Sequence, residues 1–487
     1  MTRPPYHAPA VRWRHRHRRR AAIARVAVSA AAVLAGIALA GCASMAPRSE
    51  RPLAPVASAF PGAPAGEGTP ASEIEWQRFF ADERLRELIR LALENNRDLR
   101  IAVLNIEQAR AAFDVRRADR LPTVGAGIGG SRQSKGDGGI NSLYSAGLQV
   151  TGYELDLFGR VRSLSDAALA QYLATEEARK AVQISLVASV ATLYLSIQGD
   201  EELLRVTRQT LDTREESYRL TRLRFDNGVS SMLEVRQAET LLESARAALA
   251  QFTRQRALDQ NALVLLVGQP LPPGLPSQAA LAADVTRTFG MPDLPAGIPS
   301  EVLARRPDVR QAEQLLRAAD ANIGAARAAF FPRITLTGSL GIASSQLSGL
   351  FSSGLAWSFA PQLLQPIFDA GRNRANQQVA EASQRIALAQ YERTVQVAFR
   401  EVADALAGRE TFAEQLRAQQ AQVRAEQDRF TLAELGFRNG VRSYLELLDA
   451  QRSLFTAQQT EVSLRTQYAQ NLVTLYRVLG GGWSPEP

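Results

Sequence analysis

Two stretches lying 212 positions apart hold the residue types in this chain best suited to chemistry. Residues 224–239 read RFDNGVSSMLEVRQAE, and residues 436–451 read GFRNGVRSYLELLDAQ. The first contains Asn227, Gly228 and Val229, the second Asn439, Gly440 and Val441. Asn-Gly suits the left-handed backbone that a helix reversal needs, so each stretch reads as a turn between two helices. The copies differ in charge: Arg442 and Asp449 stand where the first has Ser230 and Gln237. Leu445 and Glu446 of the second match Leu233 and Glu234. By themselves, Asp449 and Glu446 read as solvated helix charges, some paired with Arg442 or Arg452.

Other chemistry is thinly supplied. All three histidines (His7, His15, His17) precede residue 42, so a chain processed at that point has none for metal binding, triads or proton relay. Carboxylates alone could still serve a glycosidase-like mechanism. Here they sit mostly on helix faces at repeat spacing, and no GxxxxGK[ST] loop occurs. We expect no enzyme, no metal and no cofactor beyond a covalent lipid. The net charge of +8 suggests nucleic acid until it is mapped. Eight arginines and no acid fall within residues 1–41; the remaining 49 basic residues match 49 acidic ones, and the basic-patch reading fails.

That basic leader precedes an apolar run, Val26 to Ala40, too short to cross a bilayer comfortably. The run ends in Leu39-Ala40-Gly41-Cys42, and Cys42 is the only cysteine. This resembles the lipobox of bacterial lipoproteins, in which the cysteine thiol takes a diacylglyceryl group and becomes the N-terminus. The alternative is an ordinary signal peptide cut near Ala43. Residues 1–41 are thus expected to be a signal peptide. Residues 42–70, rich in Pro, Ala, Gly and Ser, read as an extended lipidated tether rather than a packed element.

From Trp76 the chain is a tandem repeat. Residues 94–124 align without gaps to those from Ala304 at an offset of 210, Pro122 meeting Pro332; FGRVR (158–162) meets AGRNR (370–374) at 212. A period this long marks a duplicated half, 71–290 and 291–487. Each half opens with a helix ended by proline, 97–118 or 308–330. Two short segments of period two follow, near 123–131 and 143–152 in the first half and near 334–343 and 353–361 in the second. Then comes a helical run of over 60 residues without proline, a tip near 226–231 or 438–443, and a returning helix.

Four amphipathic strands cannot close a barrel alone, and lipid tolerates no open edge. They belong either to a barrel assembled from several chains or to a soluble sheet, and the signal and lipobox favour the barrel. Six ordered motifs then carry a resemblance: EWQRFFADERLRELIRLALENNRDL (75–99), YELDLFGRVR (153–162), LPAGIPSEVLARRPDVRQAE (294–313), IFDAGR (367–372), GVRSYLELLDAQR (440–452) and LYRVLGGGW (475–483). Together they resemble the TolC/OprM family of outer membrane factors, in its lipoprotein branch.

The resemblance implies a mostly α chain with a membrane β-barrel portion. Four strands from each chain of a homotrimer complete a 12-stranded barrel above a long α-helical periplasmic tunnel. A collar is expected from residues 71–93, 268–306 and the C-terminal end. The implied function is a passive exit duct for small molecules in a tripartite efflux pump, lipid-anchored in the outer membrane. Its partners are a periplasmic adaptor and an inner-membrane transporter, with no nucleic acid. By the same resemblance Leu445 and Asp449 line a periplasmic gate with Arg442 and Glu446 nearby, and the adaptor meets the tips at Asn227–Val229 and Asn439–Val441. A non-conducting periplasmic spacer and a protein-secretion duct are the rival readings.

Overall fold

The computed structural model describes residues 2, 45–47, 51–61, 70–134, 136, 138–274, 289, 294 and 299–483. Cys42, the leader and much of residues 268–298 lie outside the described residues. In chain order the helices are α1 (Trp76–Phe79), α2 (Glu83–Asn95), α3 (Arg97–Ala118), α4 (Arg160–Asp226), α5 (Met232–Val267), α6 (Pro299–Arg305), α7 (Pro307–Ala328), α8 (Arg372–Arg438) and α9 (Tyr444–Val478). Strands β1 (Val124–Ser134) and β2 (Ile140–Leu155) separate α3 from α4. Strands β3 (Arg333–Ser344) and β4 (Leu355–Leu364) separate α7 from α8. The two halves therefore repeat the same succession, helix, hairpin, long helix, returning helix.

The chain forms two compact units, and neither is one repeat. The first takes residues 1–50, 110–171 and 315–387; the second takes 51–109, 172–314 and 388–487. Each unit draws on both halves, so the duplicated segments pack against their own copies.

Among the described residues, the first unit holds one antiparallel sheet in the order β1-β2-β3-β4. Val124 faces Val150, Leu148 faces Leu340, and Ile334 faces Leu363. This pairing puts Ile128, Leu148, Leu340, Trp357, Phe359 and Leu363 on one exposed face. Gly125, Gly127, Gly129, Gly147 and Gly341 share the other. At Gly147 and Gly341 the strands approach so closely that a Cβ on either would strike the backbone opposite. β2 carries a bulge between Val150 and Tyr153, with Gly152 at φ 67°. The strands run farther than the alternation predicts, because polar residues such as Arg132 and Asn141 continue the ladder past the apolar ones.

In the second unit, α2 shows why its sequence folds as it does. Asp82 caps it, accepting from Arg84 N at 2.8 Å and Leu85 N at 3.3 Å. Leu85, Leu88, Ile89 and Ala92 then fall on one buried stripe. The surrounding core stacks Phe79 on Tyr476 at 3.9 Å, and Tyr476 OH donates to Ile74 O. Helix α4 contains a stretch apolar enough to span a membrane, yet 61% of it is buried in the protein, consistent with a core helix. Within the expected collar segment 268–306, Phe289 and Leu294 join the same core.

The expected tether is partly a packed strap. Met45 O accepts from Arg327 Nη1 at 3.2 Å in the first unit. In the second, Arg51 pairs with Glu313 at 3.1 Å, Val56 packs with Leu303 and Val309, and buried Phe60 stacks on Phe399 at 4.9 Å. Proline- and alanine-rich composition hid these contacts: a few spaced apolar residues suffice to dock an extended segment along a helix.

One buried acid gives a pH-dependent expectation. Asp200 on α4 is 7% exposed, and its Oδ2 has no hydrogen-bond partner. Burial first, then Asp259 on α5 and neighbouring Glu201, push its carboxyl from 3.8 up to about 7, with Arg256 opposing. The fold thus binds more protons than the unfolded chain, so stability falls as pH rises from about 4 to 7 and levels off above. Asp200→Asn should flatten that slope and exceed the parent in stability at pH 8, by an amount on the order of a few kcal/mol. Thermal melts of both proteins across that pH range check it; parallel curves would refute it.

Candidate functional site

The helix tips are built the same way twice. At the end of α4, Gly228 N–H donates to Phe225 O and Val229 N–H to Arg224 O, both at 2.9 Å. At the end of α8, Gly440 N–H reaches Phe437 O at 3.0 Å and Val441 N–H reaches Gly436 O at 2.9 Å. This is the bond pattern that satisfies the last carbonyls of a helix, and it requires a left-handed residue. Gly228 and Gly440 both adopt φ 74°. Asn227 and Asn439 donate back to Leu223 O and Leu435 O at 2.7 and 2.8 Å. The returning helices then start on Ser231 and Ser443, whose hydroxyls accept from Glu234 N and Glu446 N.

The difference at position 442 is part of an exchange. Where the first tip has Arg224 and Ser230, the second has Gly436 and Arg442. Gly436 leaves room for Arg442: a Cβ there would collide with the Arg442 side chain. Arg442 pairs with Glu446 at 3.1 Å, whereas in the first tip Ser230 donates to Glu234. Arg224 meanwhile lies over the Phe437 ring of the second tip at 4.8 Å.

The two helical hairpins are also joined above their tips. Tyr444, Leu447 and Leu448 of α9 are buried with Ala238 of α5 and Ala433 of α8, with Tyr218 and Phe437 packed around them. Tyr444 OH lies 3.4 Å from Ser217 Oγ. Arg214 of α4 donates to Leu241 O at 2.8 Å and Ser244 Oγ at 2.9 Å, and its guanidinium covers the Phe455 ring at 4.9 Å. Burial pushes this arginine down to about 10, which leaves it charged at neutral pH.

Leu445 and Asp449 come together. With Leu448 and Arg452 they line a cavity of about 200 Å³, whose opposite wall is Gln237, Thr240 and Leu241 of α5. Asp449 thus faces its own counterpart, Gln237, across the gap between hairpins. Within the chain its carboxylate accepts from Arg452 at 2.6 Å and from Arg429 on α8. Those two guanidiniums, Arg452 first, hold the carboxyl below the usual carboxylate range. Arg429 also binds Glu426 at 3.0 Å, so the cluster of two cations and two anions is formally balanced. Leu445, Val229 and Val441 are exposed. Sequence reading did not find Arg429, Arg214 or Tyr444. Arg429 lies 20 residues from Asp449 on the other arm of the hairpin, and the fold of the tip is the only signal that could pair them.

The arrangement joins hairpins and sets charge beside an apolar side chain. Residues 88–269 and 298–481 match the family model described as outer membrane efflux protein. The probable efflux pump outer membrane protein TtgC of Pseudomonas putida is 47% identical over 458 residues, covering 91% of this chain and 93% of that protein. Outer membrane protein OprJ of Pseudomonas aeruginosa is 47% identical over 452 residues, with coverage of 91% and 94%. Among solved structures, the open state of the Neisseria gonorrhoeae MtrE outer membrane channel superposes with a TM-score of 0.83. It is 43% identical, and the match covers 90% of this chain and 98% of that one.

Proposed function

The chain belongs to the outer membrane efflux protein family and is the outer membrane channel of an efflux pump, and from that premise we propose how it is assembled, anchored and gated. Three copies join their sheets into one twelve-stranded barrel, and their long hairpins surround a passive duct for small molecules. The observation that carries this reading is the sheet itself. Its four strands leave β1 and β4 each with an unpaired edge, and one of its faces is apolar and exposed. Lipid accepts such a sheet only when it is closed.

At 1.5 Å per residue, α4 and α8, with 67 residues each, extend about 100 Å. Their tips meet a periplasmic adaptor around Asn227–Val229 and Asn439–Val441, and an inner-membrane transporter drives the cargo. Leu445 and Asp449, with Arg442 and Glu446 beside them, form the constriction; threefold repetition turns each into a ring. The conduit carries no enzymatic step and uses no cofactor.

Cys42 takes a diacylglyceryl lipid and holds the chain to the outer membrane. The docking of Met45 by Arg327 supports this, because Arg327 precedes the first residue of β3 by only six positions. Three further residues reach at most about 10 Å. Cys42→Ala should abolish incorporation of radiolabelled palmitate while leaving a folded protein. Label retained in the variant would place the lipid elsewhere.

Planar bilayers test the whole reading. The purified protein should form small ion-conducting openings, and native mass spectrometry in detergent should give three chains. A monomer that never conducts, even with its tips loosened by substitution at Tyr444, would leave a periplasmic spacer.

A further inference from the structure

The duplication inside one chain supplies a template for the seam between two. β1 maps onto β3, since Pro122 falls on Pro332 and hence Val124 on Ile334. Val124 faces Val150 within the first hairpin and Ile334 faces Leu363 within the second, so Val150 falls on Leu363. Between the hairpins, Val150 faces Gly338 on β3, and Gly338 falls on Ile128 of β1. The copied seam therefore sets Leu363 opposite the partner subunit's Ile128.

The lower half of the seam gives the same answer by a separate route. Below the bulge in β2 the ladder has shifted by one residue, and Leu155 faces Ile334. There the repeat is pinned by the left-handed glycines Gly159 and Gly371, at φ 72° and 84°. They carry Leu155 onto Ile367, and Ile334 onto Val124. Ile367 then comes opposite the partner subunit's Val124, which lies on the ladder that joins Leu363 to the partner subunit's Ile128. Both routes agree because β4 has no counterpart of the β2 bulge; its pairing with β3 runs without a shift from Arg333·Leu364 to Ile342·Leu355.

Side chains fit this register. Leu363 and Ile128 belong to the same apolar face, whereas a slip of one residue would set that face against the polar one. Below the internal seam Phe158 stacks on Phe331 at 4.8 Å. Phe331 falls on Leu121 and Phe158 on Ala370, so the seam between copies does not repeat this aromatic stack. Ile367, 96% exposed in the single chain, falls on Leu155 and finds its cover in the copied contact with the partner subunit's Val124.

We propose that β4 pairs antiparallel with β1 of a second copy in the register that sets Leu363 opposite the partner subunit's Ile128, and that Ile367 closes the rim below against the partner subunit's Val124. This rests on the trimeric barrel argued above. The occupant of both edges is the same chain, because each edge is the copy of one already paired.

Cysteine pairs test the register in the full-length protein. Facing positions of an antiparallel pair bring their Cβ atoms within disulfide range, and diagonal ones do not. Mild oxidation of Leu363→Cys/Ile128→Cys should convert most chains to covalent dimers and trimers on non-reducing gels. The slipped pairs Leu363→Cys/Ala126→Cys and Leu363→Cys/Gly130→Cys should yield several-fold less. The single variants reveal any involvement of Cys42. A slipped pair that links best would overturn the register while the trimer stands. No linkage in any pair, with three chains still found by native mass, would overturn the β4·β1 seam. A monomer by native mass would remove the trimeric reading, and the seam with it.

Discussion

In planar bilayers under a salt gradient, Asp449→Ala should shift the reversal potential toward anion preference. The wild-type cluster of Arg429, Arg452, Asp449 and Glu426 is balanced. Alanine leaves one uncompensated cation per chain, or three around a trimeric constriction. A charge of that size a few ångströms from a permeating ion is worth on the order of 1 kcal/mol in a water-filled pore, hence several-fold in the permeability ratio. Added salt should shrink the difference. Asp449→Glu, which keeps the charge, should stay close to wild type. The two arginines hold the Asp449 carboxyl ionised below the usual carboxylate range, so wild-type selectivity should persist as pH falls through that range. Equal reversal potentials for the alanine variant and wild type would mean that Asp449 does not face the conducting path.

Arg306→Met should cost about 1–3 kcal/mol of stability, the toll of leaving the hydrogen-bond partners of a buried cation unmatched. Arg306 is buried between α6 and α7. Its Nε and Nη2 bind both oxygens of Asp308 at 3.0 and 2.6 Å, Nη2 also binds Glu401 of α8 at 2.8 Å, and Nη1 donates to Val478 O at 3.1 Å. Methionine fills a similar volume but strands two carboxylates and a helix-end carbonyl. Urea or thermal unfolding in detergent reads the loss directly. Arg306→Met/Glu401→Gln should recover part of it, since the second change removes the stranded charge. A loss under about 1 kcal/mol would show that water already serves these groups.

The duplication explains why that arginine is there. Its counterpart in the first half is Asn96, also buried, whose Nδ2 donates to Leu266 O at 2.8 Å. Leu266 and Val478 are themselves equivalent positions, so both halves tie the start of one helix to the end of another through the same bond. Where the second half has Glu401, the first has Ser189.

Much of this architecture is legible in the chain because its signals are local. Pro122 and Pro332 end helices, Gly228 and Gly440 end the long ones, and period two marks the strands. The motifs at 153–162, 367–372 and 440–452 pointed to the efflux family. What stayed hidden depends on contacts distant in sequence. Phe60 gave no sign of stacking on Phe399, nor Arg429 of reaching Asp449, nor Arg214 of lying on Phe455. The repeats mark two halves in sequence, and each compact unit interleaves segments of both. Periodicity tells which face of a segment is apolar; it does not tell which distant segment that face will meet.

The sheet also dictates an order of events during folding. Each β-hairpin closes across a short loop, a microsecond process in isolation. The β2·β3 seam must instead draw together strands separated by about 185 residues, as Gly152 and Thr337 illustrate, and the loop-closure entropy of that step is paid before any contact rewards it. In the proposed trimer the edges of β1 and β4 close later still, in a step whose rate depends on concentration. A newly exported chain therefore passes through a state with open strand edges beside an apolar face, the combination most prone to aggregation. Slow, dilute expression should favour the native channel over aggregates.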